Sequence, residues 1–301
     1  MTSCRFLPMI IFLGIVGIDP AFAKFSSPLE VTVYPGKGGG ANAYIFSDQQ
    51  GTLLVDATRS SKDAKELATL VRSKGAAPHI ILVTHGHPDH FMGLGVLRKE
   101  FPHAQIMVAT REIKEDIIKF EKRMELMNWM ESEPFMKSLS PSHPDGFDYE
   151  NEISVLDSQK LTMPGGEVLD VQVDFQASEA PHETVLYSRE LNSLFPSDLV
   201  YFGVHLWLGP GVNLAGMSNW DRELVRFKDK YGPLKSKVYP GHGRVTDTDV
   251  FEVDRRYMKD LLRVVAGSKS EVEARTKMKA LYLDWENADF ILFQSIKTQM
   301  Q

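Results

Sequence analysis

Two patterns interleave along the chain: short runs with apolar residues at period two, and longer runs with apolar residues every three to four positions. Leu29 to Tyr34, Ala43 to Ser47 and Thr52 to Val55 read as strands, the last two joined through Asp48-Gln49-Gln50-Gly51. Ser60 to Lys74 reads as a helix, with Ser60 or Ser61 as its cap and Gly75 as its stop. The continuous apolar run Ile80-Ile81-Leu82-Val83 predicts a buried strand, followed by a helix to Glu100 and a strand from Gln105 to Ala109. From Arg111 to Met130 the period is helical, carried by Ile113, Ile117, Phe120, Met124 and Met127, and a Pro/Ser-rich loop runs on from Ser132 to Asp148. These two segments read as a helical insertion at about 111–148, whose Met and aromatic stripe serves as core or as a pocket wall. Further strands are predicted at Glu152 to Leu156, Val168 to Phe175, Thr184 to Ser188, Leu194 to Pro196 and Lys237 to Tyr239. A helix at Trp220 to Lys230 and helices over roughly Asp247 to Met300 complete the pattern of one α/β domain over 24–301.

The first residues follow another logic. Arg5 precedes an apolar stretch from Phe6 to Ile18, too short to span a bilayer comfortably, and Ala21-Phe22-Ala23 has the small-x-small form of a signal peptidase site. Residues 1–23 are therefore expected to be a signal peptide. The mature chain is expected to be periplasmic or secreted, without stable membrane insertion. Cys4, the only cysteine, lies in this segment. A mature chain without cysteine has no thiolate to serve as metal ligand or nucleophile. The net charge of -6 and pI near 5.9 argue against a surface that tracks phosphates, so a small-molecule substrate is expected and nucleic acid is not.

The candidate chemistry is concentrated where the apolar strand at Ile80 ends. Thr84-His85-Gly86-His87-Pro88-Asp89-His90 places four metal-binding side chains within six residues. His85 and His87 alternate around Gly86, so in extended chain both imidazoles face one side. Pro88 stops the ladder, and Asp89 and His90 can open the next helix with their side chains turned back. A group this dense leaves several polar side chains badly placed unless a cation satisfies them, and one loop of this form can serve two adjacent metals. Three later positions, His182, Asp198 and His242, also fall at predicted strand ends. The glycine-rich stretch Gly36-Lys37-Gly38-Gly39-Gly40 lacks the register of a phosphate cradle and reads as a loop near the site mouth. Of the other histidines (His79, His103, His143 and His205), His205 is the best placed for a substrate contact.

From Val31 to Arg244 the chain resembles the metallo-β-lactamase superfamily, on its His-x-His-x-Asp-His motif and the three later positions. The resemblance implies a four-layer αββα sandwich with two zinc ions at one edge of the paired sheets. It implies a first zinc site of His85, His87 and His182, a second of Asp89, His90 and His242, and Asp198 bridging both. Asp56 matches a buried aspartate that orients a ligand histidine, and its plainer reading is a turn cap. Two such ions would share a hydroxide that attacks the substrate, with Asp89 orienting it or passing a proton. Tyr201 is a weaker candidate for donating to substrate. A bridging aspartate points toward ester, lactone, thioester or phosphodiester cleavage, and export leaves a carboxylic ester or lactone as the leading substrate. The alternatives are a β-lactam amide hydrolase, opposed by Asp198, and an iron-dependent oxygenase or redox protein on the same scaffold.

Overall fold

A computed structural model describes residues 28–301, so the expected signal peptide at 1–23 lies outside the described residues. The first sheet runs in the order β1 (Glu30–Tyr34), β2 (Ala43–Ser47), β3 (Thr52–Val55), β4 (Pro78–Val83), β5 (Gln105–Val108) and β6 (Ile153–Val155). Its first three strands are antiparallel neighbours; from β3 onward the pairing is parallel. Helix α1 (Ser61–Arg72) makes the β3-to-β4 crossover, capped by Ser60, whose side chain accepts from the Asp63 amide. Helices α2 (Pro88–Phe91) and α3 (Leu94–Glu100) link β4 to β5, and α4 (Arg111–Leu126) lies between β5 and β6.

The second sheet is built from β7 (Lys160–Thr162), β8 (Val168–Gln172), β9 (Val185–Ser188) and β10 (Ser193–Phe195). A small pair, β11 (Tyr201–Phe202) and β13 (His242–Gly243), stands apart, whereas β12 (Lys237–Val238) and β14 (Thr246–Asp247) extend the second sheet beyond β10. Helices α5 (Leu214–Tyr231), α6 (Val250–Ala266), α7 (Glu271–Leu281) and α8 (Phe293–Gln299) complete the chain.

Alternation along the strands sorts the apolar residues into three cores. Ala43, Ile45, Leu54, Ile81 and Val83 face α1, α3 and α4, while Tyr44, Phe46, Leu53, Val55 and Leu82 face the other sheet. The second sheet does the same: Leu186, Phe195 and Tyr239 point between the sheets, and Val185, Leu194 and Val238 pack against α5 and α6. Both sheets are thus buried on both faces, which is why their strands read as nearly continuous apolar runs. Helix, sheet, sheet and helix form the expected four-layer αββα sandwich.

Three predicted helices are broken or shifted by several residues. The helix expected through Phe91 to Glu100 is broken at Gly93, whose amide bonds the Thr58 carbonyl at 3.0 Å; a Cβ there would meet the Ala57 carbonyl oxygen at 1.9 Å. The helix from Arg111 stops at Leu126, and Asn128 follows in the left-handed region. The helix expected at Trp220 begins earlier, at Leu214, because the Asn213 side chain caps it by accepting from the Gly216 amide. Strand β7 is an addition to the expected elements, since three residues with one buried apolar position carry too little period to be read. Among the described residues no helix is long and apolar enough to cross a membrane.

Candidate metal centre

The site stands at the ends of strands from both sheets. β4 delivers Thr84 and His85, and His87 caps α2, which starts at Pro88 and carries Asp89 and His90 in its single turn. A 3-10 turn after β10 carries Asp198, and His242 opens β13. The Asp198 turn needs close quarters: a Cβ at Gly241 would lie 2.0 Å from Asp198 Oδ1. Glycine at this position lets the His242 strand pass the carboxylate.

Two groups of ligand atoms result. One holds His85, His87, Glu179 and Asp198; the other holds Asp89, His90 and His242; in each group the ligand atoms lie within 4.8 Å of one another. Asp198 joins them. Its Oδ1 is 3.2 Å from His90 Nε2, and its Oδ2 is 3.1 Å from His242 Nε2 and 3.7 Å from His85 Nε2. The structure therefore brings together His85, His87, Asp89, His90, Asp198 and His242, with Asp198 between the groups.

His182 is the exception. Its side chain is 45% exposed and its Nδ1 lies 2.8 Å from Asp116 Oδ2 on α4, away from both groups. The group that forms around His85 and His87 differs from the expected set: Glu179, three residues earlier, stands where His182 was expected, with Oε1 3.2 Å from His87 Nδ1 and Oε2 3.9 Å from His85 Nε2. The reason lies in the loop before β9. The Ala180 amide donates to Glu183 Oε1 at 3.3 Å, and the Glu183 backbone bridges His85, which turns residues 179 and 183 inward and leaves His182 at the rim. Glu179 carried no signal in the sequence, where an isolated Glu in a Ser-Glu-Ala context is an ordinary loop residue. Only its burial marks it.

Hydrogen bonds behind the ligand atoms set the rings. Asp56, in the left-handed region at φ 66°, accepts from the Thr84 amide at 2.9 Å and approaches His90 Nδ1 at 2.8 Å. These contacts hold the His90 ring with its Nε2 turned toward Asp198. The Gly39 carbonyl accepts from His242 Nδ1 at 2.9 Å, which turns Nε2 toward Asp198 and places the glycine-rich loop beside the site. The ring of Tyr201 stacks on His242 at 4.7 Å, and its hydroxyl donates to Asp198 Oδ2 at 2.9 Å. Tyr201 is buried and its proton is committed to Asp198, so it is not poised to donate to substrate. His205 is also buried, with Nδ1 2.9 Å from the Tyr257 hydroxyl.

The electrostatics are those of charges confined together. Burial raises the Asp198 pKa, but His242 and His90 outweigh it and hold the carboxyl well below its usual range. Burial disfavours protonated His90 and His242, yet Asp198 and the neighbouring carboxylates raise both, His242 to about 9. Burial dominates at His85 and keeps its imidazole neutral. Burial also raises Glu179 and Glu183.

These residues fit divalent cations. His85 Nε2, His90 Nε2, Glu179 Oε2 and Asp198 Oδ1 are buried without a hydrogen bond, an expensive arrangement unless another species accepts their lone pairs. Four imidazoles and three carboxylates, converging on two points, make the nitrogen and oxygen donor set of first-row divalent metals.

Comparison with known proteins agrees with this geometry. The metallo-beta-lactamase superfamily model matches residues 36–242, more than two thirds of the chain. The chain belongs to the metallo-β-lactamase superfamily. Among solved structures, a metallo-beta-lactamase family protein from Thermus thermophilus is similar over 88% of this chain and 92% of its own, with a TM-score of 0.61 and 18% identity. A metallo-beta-lactamase from Pontibacter korlensis matches over 77% and 94%, with a TM-score of 0.53 and 15% identity. At such identities the likeness concerns the fold. Curated relatives match only short stretches: YobT of Bacillus subtilis (strain 168) is 32% identical over 71 residues, 24% of this chain and 30% of that protein. Exodeoxyribonuclease WalJ of Streptococcus pneumoniae serotype 2 (strain D39 / NCTC 7466) is 34% identical over 64 residues, 21% of this chain and 24% of that protein. The chain thus matches under a third of the length of either relative.

Proposed function

We propose that this superfamily member is an exported, metal-dependent hydrolase that cleaves a carboxylic ester or lactone of a small molecule, with two zinc ions per chain. The carrying observation is Asp198, whose two carboxylate oxygens stand between imidazoles of both ligand groups. A shared carboxylate is what a pair of cations needs to be held at a common nucleophile. When bound, such a pair supplies a water of lowered pKa and a Lewis acid for the carbonyl oxygen. The chain's own residues do the rest. Asp56 and Gly39 fix the rings of His90 and His242, and Tyr201 fixes Asp198. Asp89, with its side chain 23% exposed, is the most open carboxylate of the two groups and is positioned to take a proton from the attacking water and return it to the leaving oxygen. Burial of His85, His90, Glu179, Asp198 and His242 excludes bulk water behind the reacting centre.

The test is a panel of lactones, aryl esters, thioesters, phosphodiesters and β-lactams against zinc-reconstituted protein. Lactones or aryl esters should be the best substrates. A chromogenic cephalosporin or a phosphodiester turned over fastest would overturn the substrate class. Export is tested separately: the N-terminus of protein from periplasm or medium should be at or near Lys24, and a cytosolic protein retaining Met1 would refute it.

A second reading, an iron-dependent oxygenase or redox protein, draws support from Glu179. With Glu179 in place of His182, each group has two histidines and one carboxylate of its own, besides the shared Asp198. Two histidines and a carboxylate also suit iron. Metal analysis and a visible spectrum of protein purified without added metal separate the readings: iron with charge-transfer absorption would favour the second.

A further inference from the structure

Beside the second ligand group lies a cation that the fold does not use. The Arg59 guanidinium is exposed, and among the described residues it has no ion pair or hydrogen bond. It lies over the Phe290 ring, 5.7 Å from centroid to guanidinium carbon. A guanidinium over a ring still has its five N–H donors, and those of Arg59 have no hydrogen-bond partner among the described residues. Phe290 is itself 44% exposed and stacks on Trp207 at 6.0 Å with 26° between the planes. The result is an aromatic shelf with a free Arg at its edge.

The shelf is tied to the site from two directions. Phe290 sits in a single π-helical turn, Ala288–Leu292, entered through Asn287 in the left-handed region. Asn287 Nδ2 donates to the Gly39 carbonyl at 3.2 Å, the same oxygen that accepts from His242 Nδ1. On the other side, Arg59 follows Asp56 by three residues on the turn that holds His90, and its charge acts on the Asp89 carboxylate. A π-turn and a left-handed Asn cost backbone energy and occur disproportionately at functional sites. Here both hold Phe290 outward, on the turn whose Asn287 shares the Gly39 carbonyl with His242.

We propose that Arg59, Phe290 and Trp207 form the substrate-recognition site, taking a flat apolar or aromatic ester or lactone that carries a carboxylate, with that carboxylate paired to Arg59. The proposal rests on the hydrolase reading above and adds the substrate class. In a chain of net charge -6, an exposed Arg that makes no ion pair among the described residues, close enough to a metal centre for its charge to reach Asp89, favours anions there. A planar fork binds a carboxylate through two parallel N–H donations, and the shelf covers the ring beside it.

The experiment compares 4-acetoxybenzoate with its neutral methyl ester on the full-length zinc-loaded protein and on Arg59→Met and Arg59→Lys. Wild type should favour the anionic ester by roughly 10-fold or more in kcat/KM, mainly through KM. Arg59→Met should bring the ratio near one, and Arg59→Lys should recover part of it. A ratio near one in wild type, or an equal loss on both esters in Arg59→Met, would overturn the proposal. A binding arm keeps the two readings apart: 4-hydroxybenzoate, followed by tryptophan fluorescence, should bind wild type about 10-fold more tightly than Arg59→Met. That difference without turnover of either ester would fault the hydrolase reading and leave the recognition site standing. Ester turnover without it would fault the recognition site alone.

Discussion

The two ligand groups share one carboxylate and differ in how they are assembled. The second group takes Asp89 and His90 from one helical turn and His242 from a strand end, and both its rings are fixed from behind, His90 by Asp56 and His242 by Gly39. The first group takes His85 and His87 from a strand end, but is completed by Glu179 from a loop with no regular structure. Where a ligand sits in a regular element, its direction follows from the element's geometry. Where it sits in a loop, direction depends on the hydrogen bonds of that loop, and a shift of three residues from His182 to Glu179 replaces an imidazole by a carboxylate.

Removing what the groups share should have the largest effect. Asp198→Asn keeps size and loses charge, and we expect loss of at least one metal or a rate drop of roughly 10²-fold or more with the fold intact by circular dichroism. Wild-type metal content and kinetics would show that the groups do not depend on a bridge. Next comes the difference between them. Glu179→Ala should lose the first-group metal, read as a fall from two metals toward one by elemental analysis, with activity down roughly 10- to 100-fold. His182→Ala should keep both metals. The reverse result would restore the histidine to the first group.

The support behind the second group should matter less than its ligands. Asp56→Asn leaves Thr84 a partner and weakens the hold on His90, so metal affinity should fall about 10-fold, measured by competition with a chelator. The smallest expected effect is on stability, in α4, which carries the Asp116 that holds His182 at the rim. Glu121 on α4 is buried, and burial, with Glu125 adding to it, raises its pKa to about 7. The folded state therefore binds the proton more tightly than the unfolded chain, so the stabilising effect is complete below about pH 4 and is lost as pH rises toward 7. Glu121→Gln should add about 1–2 kcal/mol to unfolding free energy at pH 8 and almost nothing at pH 4, by denaturant titration at both pH values. An equal effect at both would assign the change to packing.

Legibility followed the same division. The strands at Ala43 to Ser47 and Thr52 to Val55, and the helix capped by Ser60, stand where their periods place them, because burial on a fixed period leaves a trace in the order of residues. So do His85, His87, Asp89, His90, Asp198 and His242, which flank apolar strands or open a short helix and converge in the structure. Helix ends were less legible: Gly93 breaks a helix because the Ala57 carbonyl passes within van der Waals reach, a contact remote in sequence.

The order of residues was enough for the individual strands and helices and for the cluster from His85 to His90, since each depends on local period or on a motif whose spacing is its geometry, whereas the paired sheets between helices and the place of Asp198 between the groups were implied by the family resemblance. The inward place of Glu179 is set by tertiary contact. The bond from the Ala180 amide to Glu183 and the hydrogen bond of His182 with Asp116, 66 residues away, choose which side of one loop faces inward. The Arg59–Phe290–Trp207 shelf has the same origin. Its three residues come from the turn after β3, the segment after β11 and the C-terminal π-turn, and their proximity exists only once both sheets have closed on the shared core. Local preference acts over a few residues, whereas the facing of a loop or a side chain toward a site is decided by whichever distant partner supplies the missing hydrogen bond or charge.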